Sequence, residues 1–277
     1  MQIGIIGAGV MGKGVAQRFA QYHHQVILFD NDREVRDRAL QEIEKSLKIA
    51  SMFNKTINVE DCISGIKVAS QYEELKQADY IVENVTENIG IKKSVYQQLE
   101  QVCKPECIYM VNTSCVPITL IASSTRRTDQ VIGVHFMNPV PMKNFAEVIK
   151  GLNTSAETVA SVGQLLKELG IETEIVNDSA GFVSNRLSHL FMNEAAMLVY
   201  EGVAAPKQID NIFKKGFGHK MGPLETADLI GVDVVLDSLK VIYEHYEDPK
   251  YRACPLLKQM VYAGETGRKS GKGFYNY

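Results

Sequence analysis

The sequence predicts an α/β domain followed by an all-α domain. Three observations carry this. Short β-branched runs alternate with helix-period stretches as far as Asn177. A glycine-rich turn joins the first run to the first helix, and period-2 alternation is lost from Gly181 onward.

In order, Gln2–Ile6 is an apolar strand and Met11–Tyr22 a helix, with Val15, Phe19 and Tyr22 at helical spacing. Residues 25–30 (QVILFD) form a second strand, and Asp32 is placed to cap the long charged helix behind it. Further strands are expected at 65–69, 80–85, 108–112, 131–136 and 146–150, and a helix at 156–169 leads through Gly170 to a strand at 172–177. This pattern predicts a parallel sheet covered by helices. Gly181–Gly202 reads as one long helix with apolar residues on more than one face. Pro206 and Pro223 suit first-turn positions of later helices. The boundary falls near Asp178–Ala180, giving domains of residues 1–179 and 180–277. The second is either packed as a monomer core or satisfied by a second subunit, and a homodimer is the expectation.

A chain of 277 residues, 45% hydrophobic, suits two domains at roughly 100–200 residues each. A net charge of -3 gives no electrostatic reason to expect nucleic acid or an anionic membrane as partner. No run approaches the about 20 apolar residues of a membrane span. MQIGIIGAGV lacks a basic leader segment and is read as the first strand, so a cytoplasmic protein is expected. Cys62, Cys103, Cys107, Cys115 and Cys254 form no CxxC pair and are odd in number, so neither a metal site nor a disulfide framework is expected.

Residues 7–12 read GAGVMG. Gly7 permits a tight turn, Gly9 lets the backbone approach a pyrophosphate, and Gly12 lets helix and strand pack closely. Ala8, Val10 and Met11 complete the loop, whose helix N-terminus offers N–H groups to an anion. The turn follows a strand, opens a helix and is followed 18 residues after Gly12 by Asp30, at the end of the second strand. A carboxylate there accepts from the adenosine ribose hydroxyls and repels a 2′-phosphate, so the cofactor is NAD on a Rossmann-type domain; the alternative for Asp30 is a helix cap.

Hydride removal from an alcohol needs a base for its proton, and histidine titrates in the right range. His23, His24, His219 and His245 read as surface residues and His189 as a packed or interface histidine. His135 ends a strand at the carboxyl edge of the sheet, where ligands of such folds bind. Position alone leaves it equally a structural residue.

GVHFMNPVPMKNFAEVI (133–149), NTS (112–114), GFVSNRL (181–187) and GRKSGKGFYNY (267–277) resemble the signatures of the short-chain 3-hydroxyacyl-CoA dehydrogenases, including 3-hydroxybutyryl-CoA dehydrogenases. The glycine turn and MGPLE (221–225) match as well, so the resemblance spans nearly the whole chain. It implies that His135 is the base and Glu147 the carboxylate that orients it. It implies further that Ser114 meets the substrate oxygen and that Asn185, in the second domain, positions the substrate, so that both domains contribute to the site. Glu87, Lys92, Asn138 and Lys269 are implied as cofactor contacts. For Glu87 and Lys92 the alternative is a solvated helix start, and for Asn138 a turn former before Pro139.

The sequence also departs from that family. Cys115, Val116 and Pro117 follow Ser114, MKNFAEVI replaces the usual VMKLVEVI, and Ala180 stands in place of proline. Where CoA-binding members carry a dense basic run, SLKIASMFNK (46–55) keeps only Lys48 and Lys55, the two cations expected to face the substrate's phosphates. The acyl group therefore arrives either on coenzyme A or on an acyl carrier protein, as in a branch that oxidises carrier-bound glyceryl units for polyketide extension. A non-catalytic NAD-binding protein is a further alternative, against which the intact Ser114, His135, Glu147 and Asn185 argue. A lysine-dependent 2-hydroxyacid dehydrogenase is disfavoured because no lysine lies between Asn177 and Pro206.

Overall fold

The computed structural model describes all 277 residues. They form two compact units, Met1–Ser179 and Ala180–Tyr277. In the first, the order is β1 (Gln2–Ile6), α1 (Val10–Gln21), β2 (Gln25–Phe29), α2 (Arg33–Phe53), α3 (Val59–Ser64), β3 (Ile66–Ala69), β4 (Tyr80–Glu83), α4 (Ile89–Val102), β5 (Ile108–Val111), α5 (Ile118–Ala122), β6 (Val131–Phe136), β7 (Phe145–Lys150), α6 (Ala156–Glu168) and β8 (Glu172–Asn177). One eight-stranded sheet results, ordered β3-β2-β1-β4-β5-β6-β7-β8.

The expectation of a parallel sheet holds for β1 to β6 but fails beyond them. β7 runs antiparallel to β6, and β8 is parallel to β7. The cause is the connection between β6 and β7, which spans only residues 137–144. A parallel return needs a crossover of about a dozen residues or more.

Successive side chains of a strand point to opposite faces, and both faces here are covered. On one, Ile3, Ile5, Val26, Leu28, Val82, Met110 and Val134 pack against Val15 and Phe19 of α1, Ile43 and Leu47 of α2, and Leu165 of α6. Phe19 is fully buried, a contribution on the order of 2 kcal/mol. Tyr96 and Leu99 of α4, Tyr109 of β5, and Ile118 and Ile121 of α5 are also fully buried. His24, expected at the surface, is buried edge-on against Phe19 with ring centroids 5.6 Å apart. The chain reverses at His23 (φ 61) to enter β2, and that turn folds His24 inward.

The second unit is helical throughout: α7 (Ser184–Tyr200), α8 (Pro206–Gly216), α9 (Pro223–Ile230), α10 (Val232–Tyr246) and α11 (Pro255–Tyr262). Met192, Ala196, Ile209, Leu224, Val235, Leu239 and Leu257 form its core. Pro206 and Pro223 open α8 and α9, where a missing N–H costs nothing. The long helix expected from Gly181 starts three residues later. Gly181 (φ 75) and Phe182 (φ 51) are left-handed, and a Cβ at Gly181 would lie 2.8 Å from Ile242. No helix is long and apolar enough to cross a membrane.

Candidate active site

The glycine turn sits between β1 and α1. Gly7 has φ +90 and donates its N–H to Phe29 O (2.8 Å), and a Cβ there would meet Asn84 O at 2.7 Å. At Gly12 a Cβ would fall 1.7 Å from Gly7 O, so the first turn of α1 lies directly on the loop. Gly9 has nothing within 4 Å of its ideal Cβ, which leaves the backbone open to an approaching group. Val10 is 72% exposed beside it.

Helices α2, α4 and α6 begin with side-chain caps from Asp32, Asn88 and Ser155. Helix α1 has neither a side-chain cap nor an acidic residue in its first turn. Its positive N-terminal end is thus left for an anion from outside the chain. Asp30 is half-buried next to the loop, its Oδ2 accepting from Ala8 N (2.7 Å) and its Oδ1 from Asp32 N (2.9 Å). Asp32, not Asp30, caps α2. An open glycine, an uncapped helix end and a carboxylate fixed beside them fit a dinucleotide.

His135 and Glu147 stand directly opposite each other in the antiparallel β6–β7 register. Cross-strand partners share a face, and His135 Nδ1 lies 3.4 Å from Glu147 Oε2. Glu147 is buried and the histidine is 12% exposed at its side chain. With Nδ1 turned to the carboxylate, proton transfer with a substrate falls to Nε2. Asn138 follows in the exposed loop after β6.

Ser114 lies just beyond β5, in a loop gripped by one carboxylate. Glu87 Oε1 accepts from Thr113 Oγ1 (2.5 Å), Ser114 N (2.9 Å) and Cys115 N (3.0 Å). Behind it, the Lys92 ammonium sits 3.6 Å from Glu87 Oε2 and bonds both oxygens of Glu83 at 2.9 and 3.0 Å. Glu83 and Lys92 are both completely buried. The reading of Lys92 as a solvated helix start is therefore wrong: its ammonium is buried among Glu83, Glu87 and the carbonyl of Asn112. Burial pushes the Glu87 carboxyl up, but Lys92 and the three loop donors outweigh it and hold Glu87 below the usual carboxylate range. Burial lifts Glu83, against the pull of Lys92. The sequence reading missed Glu83 and Thr113. A glutamate closing the apolar strand YIVE was the available signal.

In the second unit Asn185 is the second residue of α7, half-buried, and its carbonyl accepts from His189 Nδ1 (2.9 Å). Lys269 follows Gly267 and pairs with Asp233 at 2.6 Å. On α2, Lys48 is exposed and paired with Glu44 (2.5 Å), and Lys55 is exposed beyond the helix end. Between them Met52 and Phe53 are 67% and 87% exposed.

The family model for the 3-hydroxyacyl-CoA dehydrogenase NAD-binding domain matches residues 2–179, and that for the C-terminal domain of the same enzymes matches residues 181–277. The chain belongs to the 3-hydroxyacyl-CoA dehydrogenase family. Its Rossmann-type unit is accordingly an NAD-binding domain. Among relatives, a probable 3-hydroxybutyryl-CoA dehydrogenase of Bacillus subtilis is 43% identical, covering 100% of this chain and 97% of that one. The 3-hydroxybutyryl-CoA dehydrogenase of Clostridioides difficile is 42% identical, over 100% and 99% of the two chains. The crystal structure of (S)-3-hydroxybutyryl-CoA dehydrogenase PaaH1 from Ralstonia eutropha superposes with a TM-score of 0.94 at 38% identity, covering 100% and 98%.

Proposed function

We propose that this family member oxidises the 3-hydroxyl of a short 3-hydroxyacyl-CoA, of the 3-hydroxybutyryl type, to the 3-oxo form, reversibly. The observation that carries the reading is His135 held across the sheet from the buried Glu147. Bound NAD supplies the hydride acceptor. Gly7, Ala8, Gly9, Val10, Met11 and Gly12 cradle the pyrophosphate on the end of α1, and Asp30 takes the adenosine ribose. His135 Nε2 accepts the proton of the C3 hydroxyl while Glu147 fixes the tautomer and stabilises the imidazolium formed. Ser114 steadies the substrate oxygen, and Asn185 is assigned to the thioester carbonyl. Asn138 and Lys269 contact the dinucleotide.

Coenzyme A as carrier is supported by the names of the related proteins, although Lys48 and Lys55 are a thin phosphate site. Steady-state turnover should therefore be measured on 3-hydroxybutyryl-CoA and on the same acyl group linked to a carrier protein. Ordinary efficiency with the CoA thioester is expected; efficient turnover of the carrier-bound form alone would reverse the assignment. We further propose a homodimer. The helical unit exposes Leu187 (65%), Phe217 (68%) and Tyr262 (83%), apolar area for a second copy to cover. Light scattering should give twice the chain mass, and a monomer at assay concentration would exclude it.

A further inference from the structure

We propose that Arg18 is a positioning residue: it braces the β6–β7 connection, residues 137–144, against the cofactor helix α1 and so sets the place of Asn138. The inference rests on the reading that Asn138 contacts the dinucleotide.

Arg18 lies in the last turn of α1 and is only 6% exposed. Burying a charge is costly unless the group is fully hydrogen-bonded, and the five hydrogen bonds of this one all end on neutral oxygens. Nε and Nη2 donate to Leu169 O at 3.1 and 2.7 Å, and Nη2 also to Gly170 O at 3.3 Å. These carbonyls close α6, where a helix presents its negative end. The other two bonds reach the β6–β7 connection. Nη1 donates to Pro141 O (3.4 Å) and Nη2 to Asn144 Oδ1 (2.8 Å). Burial pulls the guanidinium below its ordinary range, but an arginine keeps its charge in a protein. One planar group thereby ties the end of α6 and the approach to β7 to helix α1.

The same face of α1 touches the connection a second time. Gly14 lies four residues before Arg18, which puts the two on one side of the helix. A Cβ at Gly14 would lie 3.3 Å from both Val140 and Pro141, so the connection rests on the helix backbone. Val140 is buried there, and Met142 N donates to Pro139 O (3.0 Å), closing residues 139–142 into a turn. Asn138 is exposed and immediately precedes that turn. Its place is inherited from the turn, and the turn's from Gly14 and Arg18. Helix α1 thus offers its N-terminal end to the pyrophosphate and, from its other end, holds the segment that brings Asn138 to the same cofactor. A displacement of about 1 Å at a positioned group can cost about 100-fold in rate.

A purely structural arginine makes a different forecast. If the end of α6 needs only a cation, lysine supplies one. If the connection has to be held as well, lysine fails. Its ammonium is a point charge on a flexible stem, whereas the guanidinium presents donors in several fixed directions and reaches both segments at once.

The full-length enzyme, Arg18→Met, Arg18→Lys and Asn138→Ala should be compared by melting temperature and, well below the melting range, by kcat and by KM for each substrate. Arg18→Met is expected to melt lower, to raise the KM for NAD about tenfold and to lose about 10–100-fold in kcat, with the KM for the acyl thioester within about threefold of the parent. Arg18→Lys should recover most of the melting temperature and leave the kinetic loss in place, and it decides the matter even where Arg18→Met does not fold. Recovery of stability and kinetics together in Arg18→Lys would overturn the proposal, as would parental kcat and KM for NAD in a folded Arg18→Met protein. Asn138→Ala separates the inference from the reading beneath it. Parental kinetics there would remove both, whereas an impaired Asn138→Ala beside an unimpaired Arg18→Met would remove the inference alone.

Discussion

Replacing His135 with glutamine is expected to lower kcat by about 10²–10⁴-fold, with melting temperature and NADH affinity close to those of the parent. Glutamine approximates the size of the ring and keeps a polar group in the partly open position at the end of β6, so strand pairing is preserved. It has no nitrogen that can accept a proton near neutral pH. The alcohol proton then has to leave to water, and the loss falls on the chemical step. Glu147→Gln should lose a comparable factor for a different reason. The amide carries no charge to stabilise an imidazolium and can present its NH₂ to Nδ1, which favours the tautomer with the proton on Nε2. That tautomer cannot accept the substrate's proton. Turnover by His135→Gln at the parent rate would remove the histidine from the mechanism altogether; steady-state rates with NAD in excess decide it.

The pairing of these two residues shows how far the sequence could be read. His135 was visible as a histidine at the carboxyl edge of the sheet, and Glu147 came to it through the family resemblance. The physical reason they meet is the antiparallel register of β6 and β7. Apolar patterning identifies a strand but not its direction, so β7 was expected to run parallel. The evidence against that lay in loop length, since residues 137–144 are too few for a crossover. The glycine turn was more legible, because Gly7, Gly9 and Gly12 each answer to a local requirement of backbone shape. The Glu83–Lys92–Glu87 cluster was not. Its members lie on β4, on α4 and on the loop between them, and no helical or strand period links positions 83, 87 and 92 to residues 113–115. A fully buried lysine also runs against the usual surface placement of that residue, so composition gives no warning of it.

The C-terminal unit had a similar limit. Its helices were visible, but GRKSGKGFYNY stood only as a family signature. The structure supplies a cause. Asp228 of α9, 1% exposed, accepts from Phe274 N (2.9 Å), Tyr275 N (3.0 Å) and Tyr277 OH (3.1 Å). A Cβ at Gly273 would lie 2.1 Å from Asp228 Oδ1, and one at Gly267 would lie 2.3 Å from Asp228 O. Gly267 and Gly273 are there because the backbone lies against α9, whereas Gly271 meets nothing and has a left-handed backbone (φ +78). Asp210 of α8, equally buried, repeats the device. It accepts from Leu224 N and Glu225 N (both 2.9 Å), capping α9, and from Tyr275 OH (2.6 Å).

Asp228→Ala is therefore expected to destabilise the protein by about 3 kcal/mol. Each backbone N–H left buried without an acceptor costs about 1–3 kcal/mol, and those of Phe274 and Tyr275 are orphaned at once, while the hydroxyl of the exposed Tyr277 can turn to water. The total stays below twice the upper figure because the segment can relieve the loss by detaching into water. What is then forfeited is the docking of Phe274 and Tyr275 on the helical core. Detachment has a signature beyond the lower melting temperature. Arg268, Lys269 and Lys272 become accessible to trypsin, and a C-terminal fragment should appear under conditions that leave the parent intact. Glu83→Gln, which carries no link to this segment, should not produce that fragment. If Lys269 contacts the dinucleotide as proposed, the KM for NAD should also rise in Asp228→Ala, because the released segment carries Lys269 and its pairing with Asp233 goes with it. An Asp228→Ala protein that melts with the parent and resists trypsin at these three sites would show that the clamp contributes no stability, and that Gly267 and Gly273 answer to some other constraint.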